Sequence, residues 1–343
     1  MKKRNNTYPS QIAELKHLFG GNIIEKNGVY QLKTDNSFAK GTVTHYTLSH
    51  GTSALNFNIT FNTDVAYTLG CLTKNIIHFA YCVQGACYFK SQEDKKHTKI
   101  EELQPSIFGS YKNKSNQINI KQDSKFVFTL ISVDKDVYFK TYFKGAFEND
   151  TELEKLYKAF ETLNSKIFKC SFNLKIADYL RVIDSIHLND SIANILKIDS
   201  NFQYLLAIQI ELFYKEKFEE CHTATLSKFE LQKIRQITEY IVDNPEVQHS
   251  ISTLCAQVSM SPAKLQEGFK SMHNTTVADF IRNVRVEKAE KLLTDTDLNI
   301  SEIVYTIGLT SRSYFCKIFK QKYSCSPKRY RKKIRTTSAE VNL

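Results

Sequence analysis

The chain is expected to fold as an α+β protein of two domains: a β-rich front with trailing helices, then an all-α C-terminal domain of about seven helices. Three observations predict this. Short runs rich in Thr, Tyr, Phe, Val and Ile recur from about residue 28 to 143, separated by turn-forming residues. From Thr151 onward the apolar residues switch to three-and-four spacing, the period of a helix with one buried face. Near the C-terminus one helical module occurs twice, about fifty positions apart.

The front half, residues 1–150, is read as strands at 41–48, 53–61, 76–83, 86–90, 106–109, 117–120, 125–133 and 137–142. Turns such as Ser49-His50-Gly51 and Asn62-Thr63-Asp64 punctuate them. Many short strands at regular spacing imply a sandwich or small barrel, and this rhythm resembles a cupin-like jelly roll. A helical segment, 151–218, follows. Thr151 is its expected N-cap, with Glu152 and Glu154 in the first turn and Leu153, Leu156, Tyr157 and Phe160 on one face. Further helices are expected at 174–186 and 201–218, whose apolar stripes serve either intrachain packing or a dimer seam. Residues 219–227 are polar and are read as a linker, 228–335 as the C-terminal domain and 336–343 as a flexible tail.

The C-terminal domain opens with a helix over 229–243 that Asn244-Pro245 stops. The repeat follows. Ile251, Leu254, Cys255, Val258 and Met260 coincide with Ile300, Ile303, Val304, Ile307 and Leu309 at an offset of 49. After the turn the offset becomes 50: Leu265 matches Phe315, Phe269 matches Phe319, and Phe280 matches Tyr330. Each copy is a short helix, a tight turn and a second helix, which is the pattern of a helix-turn-helix. A connecting helix of about 19 residues, roughly 28 Å long at 1.5 Å per residue, separates the copies. That is close to one turn of DNA, so two recognition helices can enter successive major grooves on one face.

Charge agrees. The formal net charge of +11 is unevenly spread, with +6 over residues 1–150, −2 over 151–227 and +7 over 228–343. Arg312 to Arg335 holds ten basic residues and no acidic one, and seven of the nine arginines lie between Arg235 and Arg335. Arginine's planar fork suits phosphates and guanine edges. The eight cysteines form no CxxC pair, and no run of about 18 apolar residues occurs. The expectation is reduced thiols in a cytoplasmic protein with no membrane span.

From Lys233 to Ile334 the chain resembles the DNA-binding domain of AraC/XylS-type transcriptional regulators. The residues that carry the resemblance are Ile251, Leu254, Val258, Ser261, Leu265 and Phe269, then Phe280, Ile281, Arg285, Ala289 and Leu292-Leu293. In the second copy they are Ile300, Ile303, Gly308-Leu309, Ser311, Ser313-Tyr314-Phe315, Phe319-Lys320 and Ser326-Pro327 with Tyr330-Arg331. The resemblance implies double-stranded DNA as partner, contact with RNA polymerase, a front domain that senses a small effector or dimerises, and activation more often than repression. More narrowly, residues 261–269 and Ile131-Ser132-Val133-Asp134 resemble regulators of iron-siderophore uptake.

Positions not needed for the core are the candidates to read bases: Ala263, Gln266 and Glu267 in the first recognition helix, and Arg312, Ser313, Cys316 and Lys317 in the second. Arg312 or Lys317 can donate to guanine, Gln266 can pair with adenine, and Ala263 can touch a thymine methyl. Glu267 can accept from cytosine or pair with Lys264 or Lys270. Ser261, Lys264, Lys270, Arg282, Ser311, Lys320, Arg329 and Arg331 are candidates for phosphate contacts, which position without specifying sequence. No catalytic group, metal or cofactor is expected. Metal cupins use an HxH pair, whereas His45, His50 and His78 stand apart. Two further readings remain: an architectural DNA binder without an effector, and an alkyl-damage repair protein with an activated cysteine.

Overall fold

The computed structural model describes residues 8–71, 75–92, 97–110, 114–142, 151–163, 166–186, 192–219, 226–273 and 275–332. The chain divides into two compact units, 1–225 and 226–343. The polar stretch read as a linker lies mostly outside the described residues, as does the tail.

In the first unit, α1 (Ser10–Phe19) buries Ile12, Leu15 and Phe19 on one face and ends at Gly20, where φ is 70°. The carbonyl of Phe19 accepts from Thr34 Oγ1 at 3.1 Å and Asn36 Nδ2 at 2.9 Å, which satisfies a helix-end acceptor. Twelve strands follow: β1 (Asn22–Lys26), β2 (Val29–Asp35), β3 (Ala39–Thr47), β4 (Thr52–Phe61), β5 (Val65–Cys71), β6 (Ile76–Gln84), β7 (Cys87–Ser91), β8 (Thr98–Ile100), β9 (Ser106–Ser110), β10 (Lys114–Ile120), β11 (Lys125–Asp134) and β12 (Phe168–Lys169). An eight-stranded sheet runs in the order β1-β2-β3-β4-β11-β6-β9-β12, and a four-stranded one in the order β5-β10-β7-β8, all pairings antiparallel.

Side chains alternate across each strand, so the register sets which residues share a face. Leu55, Phe57 and Ile59 of β4 stand opposite Leu130, Phe128 and Phe126 of β11, and these join the core between the sheets. The other face of the larger sheet carries Ile77, Phe79 and Val133 and is covered by helices. These are α2 (Lys135–Tyr142), α3 (Thr151–Glu161), α4 (Lys175–Ser185) and α5 (Ile192–Phe218). Phe79 meets Phe160 edge-on at 6.0 Å, and Phe160 stacks on Phe213 at 5.2 Å. The apolar stripes of α3 to α5 thus supply intrachain core, although Tyr204 stays 51% exposed.

Two of the expected elements differ in kind or extent. Residues 137–142, read as a strand, are the helix α2. Asp134 at the end of β11 accepts from the Val137 amide at 3.3 Å, and this side-chain cap turns the chain out of the sheet. The other is α5, which starts at Ile192, nine residues before the expected start at 201. Ser200 Oγ and Asn201 Nδ2 donate back to the Lys197 carbonyl at 3.0 and 2.7 Å, so both sit inside the helix. Asp199 instead accepts from Ser49 N at 2.9 Å and Ser49 Oγ at 2.8 Å, which docks α5 on the β3–β4 turn. The strands β1, β2, β5, β8 and β12 and the helix α1 were not among those expected; β8 and β12 are only three and two residues long, and β1 carries the exposed apolar Ile24.

The second unit is all helix: α6 (Lys228–Asp243), α7 (Ile251–Val258), α8 (Pro262–His273), α9 (Val277–Asp295), α10 (Ile300–Thr306), α11 (Arg312–Tyr323) and α12 (327–332).

Candidate nucleic-acid interface

The duplication is built into the hydrogen bonds. Ser250 begins α7 and Asn299 begins α10, each in a reciprocal capping box with the residue three later. At the turn, Ser259 N donates to Ala256 O and Met260 N to Cys255 O; 49 positions on, Gly308 N donates to Tyr305 O and Leu309 N to Val304 O. Both turn residues are left-handed, Ser259 at φ 50° and Gly308 at φ 73°. The recognition helices α8 and α11 are capped by Ser261 and Ser311, whose hydroxyls accept from Lys264 N at 3.3 Å and Tyr314 N at 3.2 Å. Thr276 and Ser326 repeat the arrangement at the starts of α9 and α12.

Packing follows the same offset. Leu265, Phe269, Phe315 and Phe319 are fully buried. Phe269 meets Phe280 edge-on at 5.3 Å and 70°, while Phe319 meets Tyr330 edge-on at 5.5 Å and 79°. These aromatics pin the back of each recognition helix to the following helix and leave its front toward solvent. Gly308 adds a close approach: a Cβ there would lie 2.2 Å from the Glu246 carbonyl oxygen.

The front faces are unlike. On α11, Arg312, Ser313, Lys317 and Lys320 are exposed and Cys316 is half-buried. On α8, Ala263, Lys264 and Lys270 are exposed, whereas Gln266 and Glu267 are half-buried. Gln266 Oε1 accepts from the Val277 amide at 3.2 Å, so it caps α9 as well as lying on the recognition helix. Lys264 pairs with Glu230 of α6 rather than with Glu267. Arg282 pairs with Asp279 at 2.7 Å, and Arg331 Nη2 donates to the Leu298 carbonyl at 2.6 Å. Arg329 is exposed on α12. The exposed cations therefore concentrate around α11, and α8 presents a weaker field with an acid on it.

Several contributors were given no structural or DNA-contact role from the sequence, although Arg285 and Tyr314 belong to the family resemblance. Arg285 is 9% exposed; its Nε donates to Pro245 O and its Nη2 to Val247 O, both at 2.8 Å. Gln248 Nε2 donates to Gly308 O at 2.8 Å, tying the loop before α7 to the second turn. Tyr314, in the first turn of α11, is 45% exposed. The only sequence signal for it is its place in Ser313-Tyr314-Phe315, where Phe315 takes the core position.

Glu230 links stability to the interface. Lys264, with the amide and hydroxyl of Ser227, holds its carboxyl down to about 2 from the ordinary 4.5. A depressed carboxylate stabilises the fold above its unfolded value, and that contribution disappears as pH falls toward 2. Exposure and screening keep it small. Glu230→Gln is expected to flatten the thermal midpoint between pH 4.5 and about 2, and to tighten salt-sensitive DNA binding by releasing Lys264. A pH profile and salt slope identical to wild type would remove this role.

The first unit has a cavity of about 810 Å³ at one end of the space between its sheets, bordered by α1. The inward face changes character there: Leu55 and Leu130 give way to Ser53, Ser132, Asp134 and His78. His78 is buried, with Nδ1 2.9 Å from Ser132 Oγ and Nε2 3.1 Å from Ser110 Oγ, and burial pushes its pKa down to about 3. It is a neutral hydrogen-bonding group. Among the described residues no three His, Cys, Asp or Glu side chains gather to hold a metal, and no helix is long and apolar enough to cross a membrane.

These elements define a tandem helix-turn-helix unit, two short-helix pairs held about a common connecting helix. Residues 254–333 match the family model described as a helix-turn-helix domain, and the C-terminal unit is a domain of the AraC/XylS type. The chain is 27% identical over 128 residues to the HTH-type transcriptional regulator MtrA of Neisseria gonorrhoeae, covering 37% of this chain and 42% of that protein. It is 33% identical over 95 residues to the bifunctional transcriptional activator/DNA repair enzyme AdaA of Bacillus subtilis, covering 28% and 45%. The chain thus spans less than half the length of these two curated relatives. Among solved structures, the C-terminal domain of AraT, a response regulator from Geobacillus stearothermophilus, is 26% identical with a TM-score of 0.29, covering 32% of this chain and 88% of that one.

Proposed function

We propose that the chain is a sequence-specific DNA-binding regulator of transcription, with its second unit reading DNA and its first binding a small effector. The observation that carries this reading is the residue-by-residue repetition of caps, left-handed turns and edge-on aromatic pairs in two helix-turn-helix modules. The connecting helix α9 has 19 residues, roughly 28 Å, which suits two consecutive major grooves. Within this reading Arg312, Ser313, Cys316 and Lys317 face bases from α11, and Ala263, Gln266 and Glu267 from α8. Lys270, Lys320 and Arg329 meet phosphates, together with the helix starts at Ser261 and Ser311. Lys264, Arg282 and Arg331 would exchange or share their present partners to do so. The polar-ended cavity of the first unit is the effector site, its hydroxyls and neutral imidazole suited to a small polar molecule. Activation through RNA polymerase is the favoured outcome, and a homodimer the favoured assembly.

Alkyl transfer to a cysteine is not part of this reading. That chemistry needs a thiolate; Cys255 is buried, and burial pushes the Cys87 and Cys170 thiols up. An architectural binder would show little preference among sequences. Selection of bound duplexes from a random pool by the full chain separates the two. A bipartite motif with halves about 10 base pairs apart supports the regulator, and salt-sensitive binding without enrichment supports the architectural role. Arg312→Ala is expected to weaken binding to the selected site by about 1–3 kcal/mol and relax preference at one base pair. An equal loss on random DNA would reassign Arg312 to phosphate.

A further inference from the structure

Between the outer face of the larger sheet and the helices α2, α3 and α5 lies a cavity of about 470 Å³. Ile77 and Phe79 of β6, Val133 of β11, Phe139 of α2, Phe160 of α3 and Leu206 of α5 form its apolar walls, and all six are buried. The rings are set edge to face: Phe160 meets Phe79 at 6.0 Å and 84°, and Phe139 at 6.2 Å and 75°. The Tyr138 hydroxyl, which also borders the space, donates to Gln203 Oε1 at 3.4 Å. The carboxylates and the ammonium in the lining are exposed at the rim: Glu152, Glu219, and Glu211 paired with Lys215 at 2.7 Å. Protein interiors hold few voids larger than a water molecule. A void of this size forfeits dispersion contacts along its walls. Water does not restore them, since a buried water needs two or more polar partners.

We propose that this cavity binds a small neutral aromatic molecule of one or two rings, at a site distinct from the polar-ended cavity between the sheets. A ligand ring extends the edge-to-face array of Phe79, Phe139 and Phe160, the arrangement that aromatic quadrupoles favour. The volume falls within the roughly 300–1,000 Å³ of small-molecule sites, which are mostly apolar. Neutrality follows from the walls, because a charged group seated against them loses its hydration with nothing to replace it. An anion held at the mouth instead meets three carboxylates and one ammonium. The site concerns the first unit alone and stands whether or not the second unit reads DNA.

The test uses the full chain with 1-aminonaphthalene, uncharged at neutral pH, as fluorescent probe and 5-amino-1-naphthalenesulfonate as its anionic counterpart. Saturable one-to-one binding of the neutral probe, about tenfold or more tighter than the sulfonate, is the expected result. Protection from hydrogen exchange should rise over 206–215 as the probe saturates, which locates it. Ala207 is exposed on α5 at the edge of the cavity. Ala207→Phe therefore fills the space without removing a core side chain, and should weaken the neutral probe by about tenfold or more. Glu211→Gln changes only the charge at the rim, so it should strengthen sulfonate binding and leave the neutral probe unchanged. That variant keeps the proposal testable if Ala207→Phe does not fold. No saturable binding, a sulfonate bound as tightly as the neutral probe, or saturation without protection over 206–215 would overturn it. So would full binding by a folded Ala207→Phe, or binding that falls as protein concentration rises, the sign of a second copy seated in the cavity.

Discussion

Replacing Gly308 by valine is expected to destabilise the C-terminal unit by about 3 kcal/mol or more, combining a left-handed backbone strain with steric displacement. Gly308 has φ 73°, and a Cβ there would sit 2.2 Å from Glu246 O and 2.7 Å from Glu246 C and Cα. The obstacle is main chain, so no rotamer change relieves it, and a β-branched residue is the worst occupant of positive φ. The equivalent position in the first module already carries a side chain, Ser259 at φ 50°. Ser259→Gly should therefore act in the opposite direction, stabilising by up to about 1 kcal/mol. Hydrogen exchange of α10 and α11 amides in the full chain measures both. Unchanged protection in Gly308→Val would mean that the 245–247 turn yields freely, and the close approach would lose its importance.

Arg285→Met is expected to cost about 2 kcal/mol, because it leaves the Pro245 carbonyl without its donor at a buried site, while the Val247 carbonyl keeps the His249 amide at 2.9 Å. The guanidinium spans Pro245 O and Val247 O at 2.8 Å each, across the same turn whose Glu246 carbonyl abuts Gly308. It thereby fixes the loop between α6 and α7 to the connecting helix, and with it the spacing of the two recognition helices. Specific DNA binding should fall further than stability alone explains, with the two half-sites no longer read in fixed register. Arg285→Lys should recover little, since one ammonium cannot bridge both carbonyls as the planar fork does. Full rescue by lysine, in exchange protection and in DNA affinity alike, would show that only the charge mattered. Because Arg285 and Gly308 act on one turn, the double substitution should lose less than the sum.

The helical repeat was legible because it is local. Offsets of 49 and 50, the caps Ser250 and Asn299, and the paired aromatics Phe269–Phe280 and Phe319–Tyr330 recur within a few residues of each other along the chain. Strands rich in β-branched and aromatic residues were equally visible at β3, β4, β6, β7, β9, β10 and β11. The strand read at 137–142 was in fact a helix because alternation of Val137 and Phe139 also fits a helix carrying one buried aromatic, and the Asp134 cap decided between them. The helix expected from 201 in fact runs from Ile192, and Ser200 and Asn201 sit inside it because their side chains donate back to the Lys197 carbonyl.

The sequence by itself determined the two-part architecture, the tandem modules, the positions of α8 and α11 and the basic character around α11, all of which follow from spacing and charge along the chain. The tertiary structure decided which of those side chains are at liberty to meet a partner. Lys264 pairs with Glu230, 34 residues away, Gln266 Oε1 with the Val277 amide and Arg331 with the Leu298 carbonyl, so each meets DNA only by sharing or exchanging that partner. It also decided that Gly308 must be glycine for a neighbour's sake as well as for its φ. Periodicity reports which face of an element is buried, whereas the partner of a single polar group depends on chain segments brought together only by folding.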